Sequence, residues 1–505
     1  MSTTGDHQRI SKSPHQPAGW TVSGLVVVVM CVFVGVYGLV GLLQDVVFQC
    51  PRSSVRVFGP TSGGFAGNMT GQQLMPKETI TTSQEDTREI SCAGKYVYLY
   101  DLPPAFNQKF VDDCRVDPPW VHICGALTNN GLGEPLVIDL VSSNDSSSFS
   151  NILLPRDAWY KTHQFTLDLY YHQRLKEYPC LTHDPDKAVL SYIPFYSALD
   201  LTLKLYNKSS LEKDRASQRL IGWLQSSRHW LRTGGHNHVL LFGRIIWDYT
   251  KGEFAADGWG NSLSKLTELQ NVTKISIERA YYSQDQRAVP YPTSFHPYSD
   301  DQIVAWQRAV LSTRRDVLVV FAGAPRSKAP DMILVSSVRR QLMTQCSNSP
   351  RYCSLLSCNV VDCERSPHLL TQAFLKSVFC LQPRGDSATR KGVFDCLIAG
   401  SIPVFFSKYT AYRQYMWHLP HNGSSYSVFL DAKAVSNGTV NVIRELKRIP
   451  LSTIASMQQT INGFLPNILY SKPGSNLKTR DAFNITLKNL LDTFRQRQVD
   501  QQTRG

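Results

Sequence analysis

Apolar residues in this chain cluster in short continuous runs. Residues 188–195, 238–242, 317–321, 377–381 and 402–406 are such runs. Runs of this length without polar alternation predict strands buried on both faces. Between them the apolar spacing turns helical. Leu220, Ile221, Leu224 and Trp230 share a face within 213–231, and residues 332–345 and 389–399 show the same period. In 481–497, Phe483, Leu487, Leu490, Leu491 and Phe494 line one side. A β-rich stretch, Lys95–Tyr100, opens the series and is halted by Asp101-Leu-Pro-Pro. Strands alternating with helices predict an α/β fold of parallel sheets covered by helices. The length suits two such units joined near residue 300, after the Pro-rich stretch 289–297: one over 93–300, one over 301–505. No internal repeat is visible.

Residues 20–43 follow a different pattern. No Asp, Glu, Lys or Arg occurs from Ser13 to Gln44. A helix over this run would span roughly 36 Å, enough for a bilayer. It is too long for the apolar core of a cleaved signal peptide. An uncleaved signal anchor is expected, with residues 1–19 as a cytosolic tail. The flanking charges barely differ, but the short tail fits a type II orientation. Residues 44–92 are rich in Gly, Ser, Thr and Gln without apolar period, which predicts a stem.

Two features favour a luminal location for the rest. Asn68, Asn144, Asn207, Asn271, Asn422, Asn437 and Asn484 begin Asn-X-Ser/Thr sequons, candidate glycosylation sites. Of 12 cysteines, Cys31 lies in the apolar run, leaving eleven, an odd number. Cys346, Cys353, Cys358 and Cys363 have no Cys-X-X-Cys spacing and are expected to form disulfides pinning a loop rather than a zinc site.

The chain has 505 residues and a formal charge of +13. That balance suits anionic partners. With no zinc finger, RNA-binding aromatic signature or dense basic run, nucleic acid is not expected among them. Asp184-Pro-Asp186 has the form of a metal-binding D-X-D, but it precedes a strand instead of following one.

The chemistry concentrates in Phe379–Phe406. A strand, a Gly-Asp-Ser turn, a helix and a second strand make a βαβ unit there. Asp386 or Ser387 is expected to cap the helix. Its N-terminus lies where open α/β sheets bind ligands, and Arg384, Arg390 and Lys391 add charge for a phosphate. Asp395, a turn and a half along, could hold ribose hydroxyls. Neither a Walker lysine pattern nor G-X-G-X-X-G is present.

This segment resembles the C-terminal signature of the exostosin-like glycosyltransferases, family 47, and more narrowly the plant xyloglucan galactosyltransferase group. Other blocks follow in the family's order: Tyr96–Pro104, His163-Gln-Phe165, Cys180–Thr182, Tyr192–Tyr196, Gly243–Asp248, Pro290–Pro297, Phe321–Arg326, and 411–429. The resemblance covers roughly 93–497. The group's pattern has Arg-Ser where Lys391-Gly392 stand, Ser for Cys396 and Cys for Ser401.

The resemblance implies a GT-B fold, two Rossmann-like domains facing a cleft, on a Golgi anchor. It implies inverting transfer of galactose from UDP-galactose to xylosyl side chains of xyloglucan. UDP-galacturonic acid or UDP-arabinose as donor, or a non-catalytic scaffold role in complexes with other Golgi glycosyltransferases, are the alternatives. Under this reading Arg326, Arg384, Gly385, Asp386, Ser387, Arg390 and Lys391 serve the donor diphosphate, and Asp395 the ribose or sugar. The general base comes from Asp101, His163 or Asp248, whose ordinary alternatives are turn capping or, for His163, burial with a satisfied partner. No cofactor or bound metal is required, although manganese stimulation stays compatible. Trp417, Tyr412 and Tyr415 are expected in the core rather than stacked on sugars.

Overall fold

The computed structural model describes residues 91–115, 122–136, 155–206, 208–251, 259–326 and 332–503. The apolar run 20–43, the stem up to residue 90, and Asn68, Asn144 and Asn207 lie outside these. Among the described residues no helix is long and apolar enough to cross a membrane.

The continuous apolar runs are strands covered on both faces. The first six strands are Val97–Leu99 (β1), Leu181–Thr182 (β2), Leu190–Ile193 (β3), His238–Ile245 (β4), Thr273–Glu278 (β5) and Gln286–Ala288 (β6). They form one parallel sheet in the order β2-β1-β3-β4-β5-β6. Successive side chains point to opposite faces of a strand. In β4, Val239 and Leu241 pack in one core with Ile275, while Leu240 and Phe242 pack in another with Leu220 and Leu224. Both faces are therefore apolar, and the alternation that marks a half-exposed strand is missing.

A second parallel sheet follows: Val317–Gly323 (β7), Cys353–Ser357 (β8), Ser377–Gln382 (β9), Ile402–Phe405 (β10) and Val428–Phe429 (β11), ordered β11-β10-β9-β7-β8. Counted from its own first strand, each sheet runs 2-1-3-4-5, and the first adds a sixth strand. In this doubly wound order the chain reverses direction beside its first strand, leaving a crevice between strands one and three.

Helices of at least eight residues are Leu167–Lys176 (α1), Ser197–Lys204 (α2), Ser210–Gln225 (α3), Asp300–Ser312 (α4), Ile333–Ser347 (α5), Pro367–Leu375 (α6), Lys391–Ile398 (α7), Leu451–Phe464 (α8) and Ala482–Gln502 (α9). Gly400, at φ +64°, ends α7 in the left-handed conformation that glycine adopts without a Cβ penalty and turns the chain into β10. Both sheets lie in one unit, Thr87–Gly505. One of its apolar cores spans both sheets, from Val239 and Ile275 to Phe379 and Val404.

The change of sheet falls between β6 and β7, but α9 returns to the first sheet. Arg174 on α1 donates to Asp481, just before α9, at 2.6 Å. The Tyr171 hydroxyl donates to Thr486, and Arg497 donates to Thr273 of β5. A boundary near residue 300 thus divides the sheets and not the chain.

Ten cysteines form five disulfides. Cys346–Cys353 closes the turn from α5 into β8 and Cys358–Cys363 closes the turn after β8, so the expected loop-pinning disulfides are present, with a strand between the two loops. Cys396 pairs with Cys380, tying α7 to β9, and the Ser401 hydroxyl donates to the Ser377 carbonyl instead. Cys92, expected at the end of the stem, is bonded to Cys180 beside β2.

Asp481 is 1% exposed and Arg174 is its cationic partner. Removing one member of a buried pair leaves the other charge uncompensated. Arg174→Met should therefore lower unfolding free energy by about 3 kcal/mol, seen as a lower urea midpoint.

Candidate active site

Two cavities meet at the carboxyl ends of the strands. One, of about 650 Å³, opens at the switch point of the second sheet. Gly323 and Ala324 at the end of β7, and Gln382 and Pro383 at the end of β9, line it together with Arg326 and Arg339. The other, of about 580 Å³, lies beyond β4 of the first sheet, among Arg244, Trp247, Asp248, Trp259 and Tyr291. Gln164 and Arg390 line both.

The loop between β9 and α7 is held from the opposite half. Glu278 ends β5 and is 1% exposed. Its carboxylate accepts the backbone N–H of Ala388 at 3.2 Å and of Thr389 at 2.8 Å, and also the Thr389 hydroxyl. Trp247 Nε1 donates to it at 3.0 Å. The cap expected from Asp386 or Ser387 is not made: no side chain caps α7 at Arg390. A carboxylate more than a hundred residues away takes the amides just before the helix, where an anionic acceptor is favoured. Glu278 carries no local motif, so nothing in the sequence marks it.

Arg390 is the centre of the site. Its Nε and Nη2 are buried with no hydrogen-bond partner. Its guanidinium lies on Gly385, where an added Cβ would overlap it. That explains the glycine: it makes room for the arginine. Burial first, then the neighbouring Arg326, disfavour the charged form of Arg390. Arg339 of α5, which the helical period alone could not single out, donates to the carbonyls of Ala324, Pro383 and Arg384. Burial, then Arg390 and Arg326, push its guanidinium down to about 9. Arg326 lies 3.3 Å from the exposed Asp386 carboxylate, without hydrogen-bond geometry at Nε. Three crowded guanidinium groups with one nearby surface carboxylate have the charge and donors that would suit an anion with several oxygens.

Lys391 and Asp395 line the same cavity but engage each other, with Nζ 2.7 and 2.9 Å from the two carboxylate oxygens. Burial raises the Asp395 pKa against the pull of Lys391. Gly392 lies against the Gln382 side chain, whose amide donates to the Gly392 carbonyl at 3.1 Å. Asp386 and Ser387 line the first-sheet cavity. Arg384 is exposed, lines neither cavity, and enters the site only through its carbonyl.

The three base candidates separate. Asp248 lines the cavity beside Arg390. It accepts from Arg244 Nε at 2.7 Å and Trp259 Nε1 at 3.0 Å, which fix its orientation. His163 points elsewhere: Nε2 lies 2.7 Å from Glu364 of the second half and Nδ1 accepts from the Phe165 amide. Asp101 is exposed after β1 and lines neither cavity, because the first-sheet cavity opens beyond β4 and not at the β1 crevice.

Asp184 and Asp186 sit in an exposed turn, where Asp186 pairs with Arg232. Among the described residues no three of His, Cys, Asp and Glu gather as metal ligands. Tyr415 is buried, with its hydroxyl on the Ile277 carbonyl; Tyr412 bonds Ser427, and Trp417 packs at the edge of the core. The aromatics facing the first-sheet cavity are instead Phe165, Tyr206, Trp247, Trp259 and Tyr291. Of the described sequons, Asn422 and Asn437 accept from their own Ser424 and Thr439 hydroxyls, Asn271 donates to the Gly234 carbonyl, and Asn484 lies half-buried in α9.

The Exostosin GT47 domain matches residues 91–446. The chain belongs to this glycosyltransferase family. It is 35% identical over 412 residues to xyloglucan galactosyltransferase XLT2 of Arabidopsis thaliana, covering 81% of this chain and 76% of that protein. It is 38% identical over 403 residues to xyloglucan-specific galacturonosyltransferase 1 of the same plant, covering 79% and 57%. The crystal structure of a glycosyltransferase from Rickettsia africae matches with a TM-score of 0.30 and 9% identity, covering 65% of this chain and 93% of that one.

Because the three atoms nearest the added methyl group all belong to the movable end of Arg390, Gly385→Ala should displace the guanidinium while the protein stays folded. Binding of inorganic pyrophosphate, measured by calorimetry, should weaken about tenfold, the loss of one charge-assisted contact.

Proposed function

We propose that this chain is a Golgi type II glycosyltransferase of GT-B architecture. It transfers galactose, with inversion, from UDP-galactose to xylosyl side chains of xyloglucan. The donor reading is carried by the buried Arg390 guanidinium, whose Nε and Nη2 lack partners at the switch-point crevice. The acceptor reading rests on the activity named for the xyloglucan galactosyltransferase to which the chain is similar. The Golgi reading rests on the apolar run 20–43, the sequons and the five disulfides, which suit an oxidising lumen. UDP-galacturonic acid is a second donor reading, favoured by the similarity to a galacturonosyltransferase.

In this reading the uridine and ribose occupy the second-sheet cavity, with Asp395 or Glu364 toward the ribose hydroxyls. The diphosphate lies across Arg390, Arg326 and Arg339. An acceptor hydroxyl enters from the aromatic cavity, and Asp248 takes its proton. The hydroxyl oxygen then bonds the anomeric carbon as the bond to UDP breaks. UDP leaves with the electron pair, and its growing charge falls on groups already oriented and shielded from water. Three arginines meet the charge of the diphosphate, so we assign no metal to the step.

Full-length protein in detergent, given xyloglucan and each UDP-sugar in turn, tests this by mass spectrometry of the digested polymer. A hexose gained only with UDP-galactose is expected; a uronic acid gain would move the donor, and no gain from a protein that binds UDP would overturn the acceptor. Asp248→Asn should lower kcat by about 10²–10⁴, the usual contribution of a positioned base, and leave UDP affinity unchanged. Chelation with EDTA should leave the rate unchanged.

A further inference from the structure

Single exposed apolar residues are ordinary, but a contiguous exposed aromatic row is not. Such a row leaves the first-sheet cavity. Within the cavity Tyr206, 47% exposed, meets Trp259 edge-on at 5.8 Å between ring centres. Trp247, which also lines the cavity, reaches Tyr282, at 6.3 Å. Tyr282 meets Tyr281 at 5.3 Å, and Tyr281 meets Tyr409 at 4.4 Å. Tyr281, Tyr282 and Tyr409 are 47%, 59% and 38% exposed.

The outer rings come from both halves of the molecule and are held in place beneath. Arg279, adjacent in sequence to this turn, donates to the carbonyls of Arg413 and Ser283, and exchanges hydrogen bonds with Gln414 through its own amide and carbonyl. These bonds tie the loop of Tyr281 to the loop of Tyr409. The Arg413 guanidinium lies 5.9 Å from the Tyr409 ring centre. The two loops that carry the rings are thus tied together, which reduces the backbone freedom that binding would remove.

We propose that Tyr281, Tyr282 and Tyr409 form a stacking track for the neutral β-glucan backbone of a polymeric acceptor, outside the transfer site. The inference rests on the xyloglucan reading and deepens it. A side-chain sugar that enters the cavity leaves its backbone at the rim, where the track begins. The rings are large, rigid and amphipathic, with faces for the C–H sides of pyranose rings and hydroxyls for their edges. The row holds tyrosine and tryptophan without an aliphatic residue, which suits a sugar better than the apolar centre of a protein interface.

The triple variant Tyr281→Ala, Tyr282→Ala, Tyr409→Ala, made in the full-length protein, tests this. The KM for polymeric xyloglucan should rise about tenfold or more, from the loss of roughly 1.4 kcal/mol of stacking. The KM for a xyloglucan heptasaccharide, kcat and UDP affinity should not change. Electrophoresis in a gel containing xyloglucan gives a readout independent of catalysis. Wild-type protein should be retarded and the variant should not. Retardation lost in the variant, with no transferase activity in either protein, would leave the track standing and overturn the transfer reading. An active wild-type protein that is not retarded, or an equal polymer KM in both proteins, would overturn the track. A variant that also lost UDP binding would show that the rings support the fold and would overturn it too.

Discussion

The geometry of this protein depends on a buried carboxylate that is held by neutral donors. Glu278 ends the fifth strand of the first sheet, and Trp247, two amides and a hydroxyl converge on it. Its two oxygens face the loop before α7, so the second half is positioned on the first at the point where the cavities meet. The same orientation keeps the carboxylate engaged with amides. Arg390, one residue beyond the loop it grips, is thus left without an internal hydrogen-bond partner at Nε and Nη2.

Two buried arginines show the contrast this creates. Arg315 donates to the carbonyls of Phe374, Leu375, Ser377 and Ala399, knitting the second sheet to its helices. Burial pushes its guanidinium down to about 10, and four carbonyls are its compensation. Arg390 has the burial without the carbonyls, and Arg326 adds repulsion. A buried polar group left unsatisfied costs free energy unless a ligand completes it. The first arrangement serves the fold; the second waits for an anion.

Much of the fold was legible because the strands that build the crevice are apolar throughout. β4, β7, β9 and β10 fall on the expected runs. β5 escaped, although all six of its residues are buried. Thr273, Lys274, Ser276 and Glu278 read as a polar surface stretch, and only pairings made after folding hide them, such as Lys274 with Asp285. The strand carrying Glu278 was therefore among those hydrophobicity could not find. β8 was hidden because it lies between two short disulfide-pinned loops, and only the loops were marked by the cysteine spacing. At the site, the Gly-Asp-Ser turn and Arg390 were visible as a motif. Arg339 sits in mid-helix and Glu278 at a strand end, and single residues of that kind acquire meaning only from what the topology brings against them. Asp101 lies outside both cavities for the converse reason: it ends a strand in the right topology, but the first-sheet cavity opens beyond β4.

A structure of the protein with UDP bound tests the central claim most directly. The account predicts the diphosphate oxygens within hydrogen-bond distance of Arg390 Nε or Nη2, with Glu278 still on the Ala388 and Thr389 amides. A diphosphate bound away from Arg390, or Arg390 turned onto Glu278 or Asp386 with the nucleotide in place, would contradict it.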